Sequence, residues 1–126
     1  MITKFVEGQV WNYVTRPGES NSRIVIVRLD DDEEYGNIIH IHISDVEIPN
    51  PQAPKGKTTY IAHLPYAEPA LEKCVTALEK HAERLPDYEE GYRLWRKAFE
   101  QGEAGVFDLP VQEAIDLVEQ SIGESD

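Results

Sequence analysis

Between Gly36 and Ile48 the chain alternates: Ile39, Ile41 and Ile43 share one parity, and Ile38, His40, His42 and Ser44 share the other. Successive side chains of a strand point to opposite faces, so the pattern predicts a strand with one apolar face and one face carrying two imidazoles. Upstream, Gly8 to Thr15 sets Trp11 and Tyr13 against Val10, Asn12 and Val14, as in a strand covered on both sides. Arg16 to Ser22 contains Pro17, Gly18 and Asn21 and predicts a loop. Arg23 to Asp30 follows as a second strand. Its centre, Ile24-Val25-Ile26-Val27, is apolar on both parities and so belongs inside a sheet. The acidic run Asp30 to Glu34 and Gly36 turn the chain into the third strand. Pro51 and Pro54 make Asn50 to Gly56 a loop, and Thr58 to His63 can add a short fourth strand at an edge.

The period then changes. After Pro65 and Pro69, Leu71, Cys74, Val75, Leu78, Ala82 and Leu85 recur at helical spacing and predict a helix over 68–84 that Pro86 ends. Asp87 and Glu90 have the spacing of a capping box for a helix over 88–101, with Tyr88, Tyr92, Trp95 and Phe99 on one side and Gly102 and Gly105 beyond it. Asp108 can cap a third helix over 109–122, with Val111, Ala114, Ile115, Val118 and Ile122 turned inward. The order predicts an α+β fold: an N-terminal antiparallel sheet of three to four strands followed by three C-terminal helices packed on it. At 126 residues the chain fits a single domain, 1–126, β-rich over 1–63 and helical over 64–126.

The opening Gly8-Gln9-Val10-Trp11, the Pro17-Gly18-Glu19 loop and the strand from Arg23 to Leu29 resemble the start of the small SH3-like barrels of plasmid-maintenance endoribonuclease toxins. That resemblance covers about the first quarter of the chain and implies an SH3-like course for the sheet. Together with Leu85-Pro86-Asp87, Glu90-Gly91-Tyr92, Leu94-Trp95-Arg96 and Gly105-Val106-Phe107, the same opening is similar to small bacterial proteins from which no activity is carried over.

Charge narrows the function. The chain has 24 acidic and 12 basic residues, a formal net charge of −12. Nucleic acid is a poor partner for such a surface, because binding it rests on Lys and Arg neutralising phosphates; this also weighs against ribonuclease activity. Residues 1–63 carry 9 acids and 6 bases, and residues 64–126 carry 15 acids and 6 bases. From Glu100 to Asp126 there are eight acids and no base. An acidic face centred on the last helix, with Asp108, Glu113, Asp116 and Glu119, is therefore expected to bind a basic protein, and amides at Glu113, Asp116 and Glu119 are expected to weaken binding without unfolding the chain. The leading expectation is an acidic protein acting by protein binding, as an inhibitor or immunity-type partner of a basic toxin or nuclease. No run approaches the roughly 20 apolar residues of a membrane span, and the single Cys74 forms no internal disulfide, so a cytoplasmic protein without membrane contact is expected.

The alternative expectation is a metal-dependent enzyme. His40 and His42 share a strand face roughly 6.6 Å apart at ordinary rise, and His63 can supply a third ligand if its strand lies alongside, the donor set of a catalytic zinc site. Alternation of polar histidines with core isoleucines is the simpler explanation, and no cofactor is expected. Counted from Asp30, Tyr35 and Ile41 occupy the Gly and Glu positions of a calcium loop. Gly56-Lys57-Thr58 lacks the leading glycine of a phosphate loop. Cys74 sits on an apolar helix stripe, and no serine stands in a nucleophile elbow.

Overall fold

The structure, a computed structural model, describes residues 3–124, with Glu124 described by its backbone alone. Asp126, one of the acids of the C-terminal run, lies outside the described residues. In chain order the elements are β1 (Gln9–Tyr13), β2 (Arg23–Asp32), β3 (Gly36–Ser44), β4 (Ile48–Pro49), β5 (Lys57–Thr58), β6 (Ile61–Ala67), α1 (Glu68–Cys74), β7 (Val75–His81), α2 (Glu89–Glu100) and α3 (Val111–Glu124). Five strands form one antiparallel sheet in the order β6-β3-β2-β1-β7, with β6 and β7 as its edges. β4 and β5 pair separately. The fold is α+β, as the order of periodicities predicts.

Register follows the isoleucines. Ile43, Ile41 and Ile39 of β3 oppose Ile24, Ile26 and Leu29 of β2 on one side and Ile61, Leu64 and Tyr66 of β6 on the other. This face, joined by Tyr13, is closed by Leu71 and Cys74 of α1 and by Val111, Ala114 and Ile115 of α3. A one-residue slip would carry the whole isoleucine set to the other face, so the apolar pattern pins the pairing. The opposite face carries Val10, Val25 and Val27, against which Ala82 and Tyr88 pack. Both sheet faces are thus covered, and His40 is as fully enclosed as the isoleucines beside it.

Two local features depart from the predicted pattern. β2 has a bulge between Ile26 and Arg28, so its parity reverses there: Leu29 joins the isoleucine face and Asp30 comes to lie across from Ile38, on the histidine face. The predicted helix over 68–84 is only α1, which stops at Cys74. Val75 turns extended (φ −75°, ψ 145°), and the chain runs back along β1, pairing Tyr13 with Val75 and Gln9 with His81. β1 would otherwise leave one row of backbone groups without partners in the sheet, and supplying them outweighs the helical spacing of Leu78 and Ala82. The outer strand is mostly exposed and carries Glu79 and Lys80, charges that blunt a sheet edge. Hydrogen exchange checks this: edge pairing predicts slow exchange at roughly every second amide of 75–81, whereas protection at consecutive amides would mean a helix.

The remaining helices start slightly later than predicted. Asp87 accepts a hydrogen bond from the Glu89 amide (3.3 Å) at the head of α2, as a turn residue and not as one half of a capping box. α3 begins at Val111, with the Glu113 and Ala114 amides bonded to the Pro110 carbonyl, and among the described residues no hydrogen bond joins Asp108 to it. β6 runs through Pro65, which an edge strand tolerates, and the Phe107 backbone lies along its outer side, donating to Pro65 and accepting from Ala67.

Candidate functional site

The histidine face holds a line of polar groups under α2. The Asp30 carboxylate is its anchor: Oδ2 lies 2.9 Å from His40 Nε2 and accepts the Tyr92 hydroxyl at 3.0 Å, while Oδ1 accepts Arg28 Nε at 3.1 Å. His40 Nδ1 in turn lies 2.8 Å from His63 Nε2. Neighbouring strands provide this spacing, with Arg28 opposite His40 and His40 opposite Pro65. From above, Tyr92 and Trp95 set their rings edgewise against His40, with centroids 4.9 and 5.0 Å away, and the Arg28 guanidinium lies 4.2 Å from the Tyr92 ring centre. The aromatic side of α2 therefore packs on the sheet as its spacing predicts, although none of its residues is fully buried.

Electrostatics fix the protons along this line. Burial pushes both His40 and His63 down to about 4, against the attraction of Asp30, and for His63 the facing His40 lowers it further. Burial alone would raise Asp30, but the bonds from Tyr92 and Arg28 and the facing His40 hold its carboxyl below the usual range. At neutral pH the imidazoles are neutral and Asp30 is ionised. An ionised carboxylate only accepts, so His40 Nε2 must carry the proton, His40 Nδ1 must accept, and His63 Nε2 must donate to it. A carboxylate and two imidazoles in sequence can pass a proton along the line. Their evident structural effect is to fasten α2 to the sheet.

Of the three predicted metal ligands, the structure brings His40 and His63 together through a direct hydrogen bond and not around a common point. His42 lies apart, parallel to Tyr60 at 5.6 Å. Among the described residues no three His, Cys, Asp or Glu side chains are grouped as metal ligands. Burial lowers His42 as well, opposed by its hydrogen bond to the Ala62 backbone. Its Nδ1 is buried without a hydrogen-bond partner, and leaving such a group unmatched typically costs about 1–3 kcal/mol.

The predicted acidic set divides in two. Asp116 and Glu119 accept from the same nitrogen of Arg16, Nη1, at 3.0 and 3.1 Å, while the rest of that guanidinium grips Glu19 through Nε (2.9 Å) and Nη2 (2.7 Å). They are therefore part of a network that ties α3 to the loop after β1. Asp108 and Glu113 are exposed and make no ion pair among the described residues. Sequence reasoning missed Asp30, taken there as the end of a strand and the start of an acidic turn, and Glu19, taken as part of a loop. The one visible sign for Asp30 was a carboxylate two places beyond Arg28 in an otherwise apolar strand. Among the described residues no helix is long and apolar enough to cross a membrane. Comparisons of the chain with protein-family models, with curated proteins and with solved structures find no match.

Proposed function

We propose that the protein acts by binding a basic protein, in the manner of an inhibitor or immunity-type partner of a basic toxin or nuclease in the cytoplasm. The observation that carries this is how the charge is spent. Arg16, Arg23, Arg28 and Arg96 each sit in an ion pair with the chain's own carboxylates, so the large acidic excess of the sequence is left facing solvent. A net field of this sign speeds encounter with a cationic surface and repels nucleic acid and anionic lipid.

Asp108 and Glu113 separate binding from folding. The double variant Asp108→Asn, Glu113→Gln is expected to keep its stability within about 0.5 kcal/mol, since both side chains are exposed and unpaired. Its association rate with the basic partner should fall several-fold at low salt and converge on the wild-type rate as salt rises. Amides at Asp116 and Glu119, by contrast, should also lower stability, because Arg16 loses two of its acceptors. An unchanged rate and salt dependence in the double variant would remove α3 from the binding surface.

A further inference from the structure

A cleft of about 690 Å³ opens where the end of β3, the segment leading into β6 and the head of α2 meet. Its lining includes three carboxylates, Asp45, Asp87 and Glu90, and no Lys or Arg. His42 and the tyrosines Tyr60 and Tyr88 complete the part that matters here. The acids of α2 have a structural reason to be there, since a helix N-terminus favours negative charge. Asp45 and His42 lie at no helix terminus. Asp45 is the one non-glycine residue with positive φ (53°) among the described residues, and it stands beyond the strand end with no ion pair there. His42 is 9% exposed, and its Nδ1 is buried without a partner. Of the lining's buried side-chain polar atoms, Nδ1 is the one without a hydrogen-bond partner among the described residues, and in a neutral imidazole it can serve as an acceptor.

We propose that this cleft is the seat of an arginine side chain presented by the basic partner, its guanidinium ringed by Asp45, Asp87 and Glu90, flat against Tyr60, and donating to His42 Nδ1. This rests on the binding function proposed above and names the group it recognises. A guanidinium is the cation that matches the lining. It is planar, stacks on aromatic faces, is weakly hydrated, and carries five donors for several acceptors at once, whereas an ammonium is compact and strongly hydrated. Tyr60, 56% exposed and lying parallel to the imidazole, supplies the aromatic face on which a guanidinium can stack. Leu94, 66% exposed at the rim, offers apolar surface for the arginine stem.

The test uses the full chain and defined probes. The protein is titrated at low ionic strength with N-acetyl-arginine amide, N-acetyl-lysine amide and the uncharged N-acetyl-citrulline amide, following the His42 ring nitrogens and the Tyr60 ring by NMR. The arginine probe should saturate at these two residues, the lysine probe should bind about tenfold more weakly there, and citrulline should leave them unmoved. Asp45→Asn and Tyr60→Ala, both at exposed side chains, should each abolish the response without unfolding the protein. Equal shifts by arginine and lysine, or shifts spread over the surface without saturation at His42 and Tyr60, would overturn the arginine site while leaving the acidic-surface function standing. If an arginine-rich peptide at low salt also fails to bind, both fall together.

Discussion

Replacing Arg16 by alanine is expected to destabilise the protein by about 3–5 kcal/mol, the cost of stranding a buried charge. The Glu19 side chain is 2% exposed and the Arg16 side chain 14%, so the pair is enclosed although it lies in a loop. Among the described residues the Glu19 carboxylate keeps one other hydrogen-bond partner, the Glu47 amide at 2.6 Å, which leaves its charge largely uncompensated once the guanidinium is gone. The same guanidinium holds Asp116 and Glu119, so α3 loses its tie to the loop after β1 as well, although its packing through Val111, Ala114 and Ile115 remains. Arg16→Lys should recover part of the loss, since it restores charge but not the two-pronged geometry. Urea unfolding measures both variants. A loss below about 1 kcal/mol in the alanine variant would show that Glu19 finds water or another partner, and that the clamp contributes no more than a surface pair.

The second large effect is acid sensitivity. In the unfolded chain His40 and His63 take up protons near 6.5, whereas in the folded protein burial holds each at about 4. Between these values the unfolded state binds more protons, so stability is fully present above pH 6.5 and is lost as pH falls toward 4. At about 1.36 kcal/mol per unit, His40 contributes on the order of 3 kcal/mol of loss across that window. The more exposed His63 adds less, and protonating one ring opposes protonation of the other. α2 should loosen first, because Asp30 and the two histidines are what it is fastened to. Denaturant midpoints measured from pH 7 to pH 4 test this. A flat profile would mean that the imidazoles are already charged or already solvated when folded.

What was legible in the sequence was whatever obeys a single period. The alternation of β3 places Ile39, Ile41 and Ile43 in the core, and the spacing of Tyr88, Tyr92, Trp95 and Phe99 places the apolar side of α2. What was illegible follows where a period breaks or where a long-range partner overrides it. The bulge at Val27 reverses the parity of β2, and no residue type announced it, so Asp30 could not be assigned to the histidine face. Residues 75–81 keep helical spacing but are drawn into the sheet by the open edge of β1, which only the assembled topology reveals. Among candidate site residues, the sequence left open whether the strand of His63 lies beside that of His40, and their mutual hydrogen bond depends on side-chain rotation that no spacing encodes. Asp116 and Glu119 looked like free surface charge because Arg16, about a hundred residues away in sequence, gave no local sign of reaching them.

The most direct test of a basic-protein partner is isolation of the protein from its native cells at low ionic strength, identification of the protein that travels with it, and stopped-flow measurement of their association as salt is raised. A basic companion whose association rate falls steeply with ionic strength is the predicted result. A companion that is neutral or acidic, a rate indifferent to salt, or the absence of any companion at low ionic strength would contradict it.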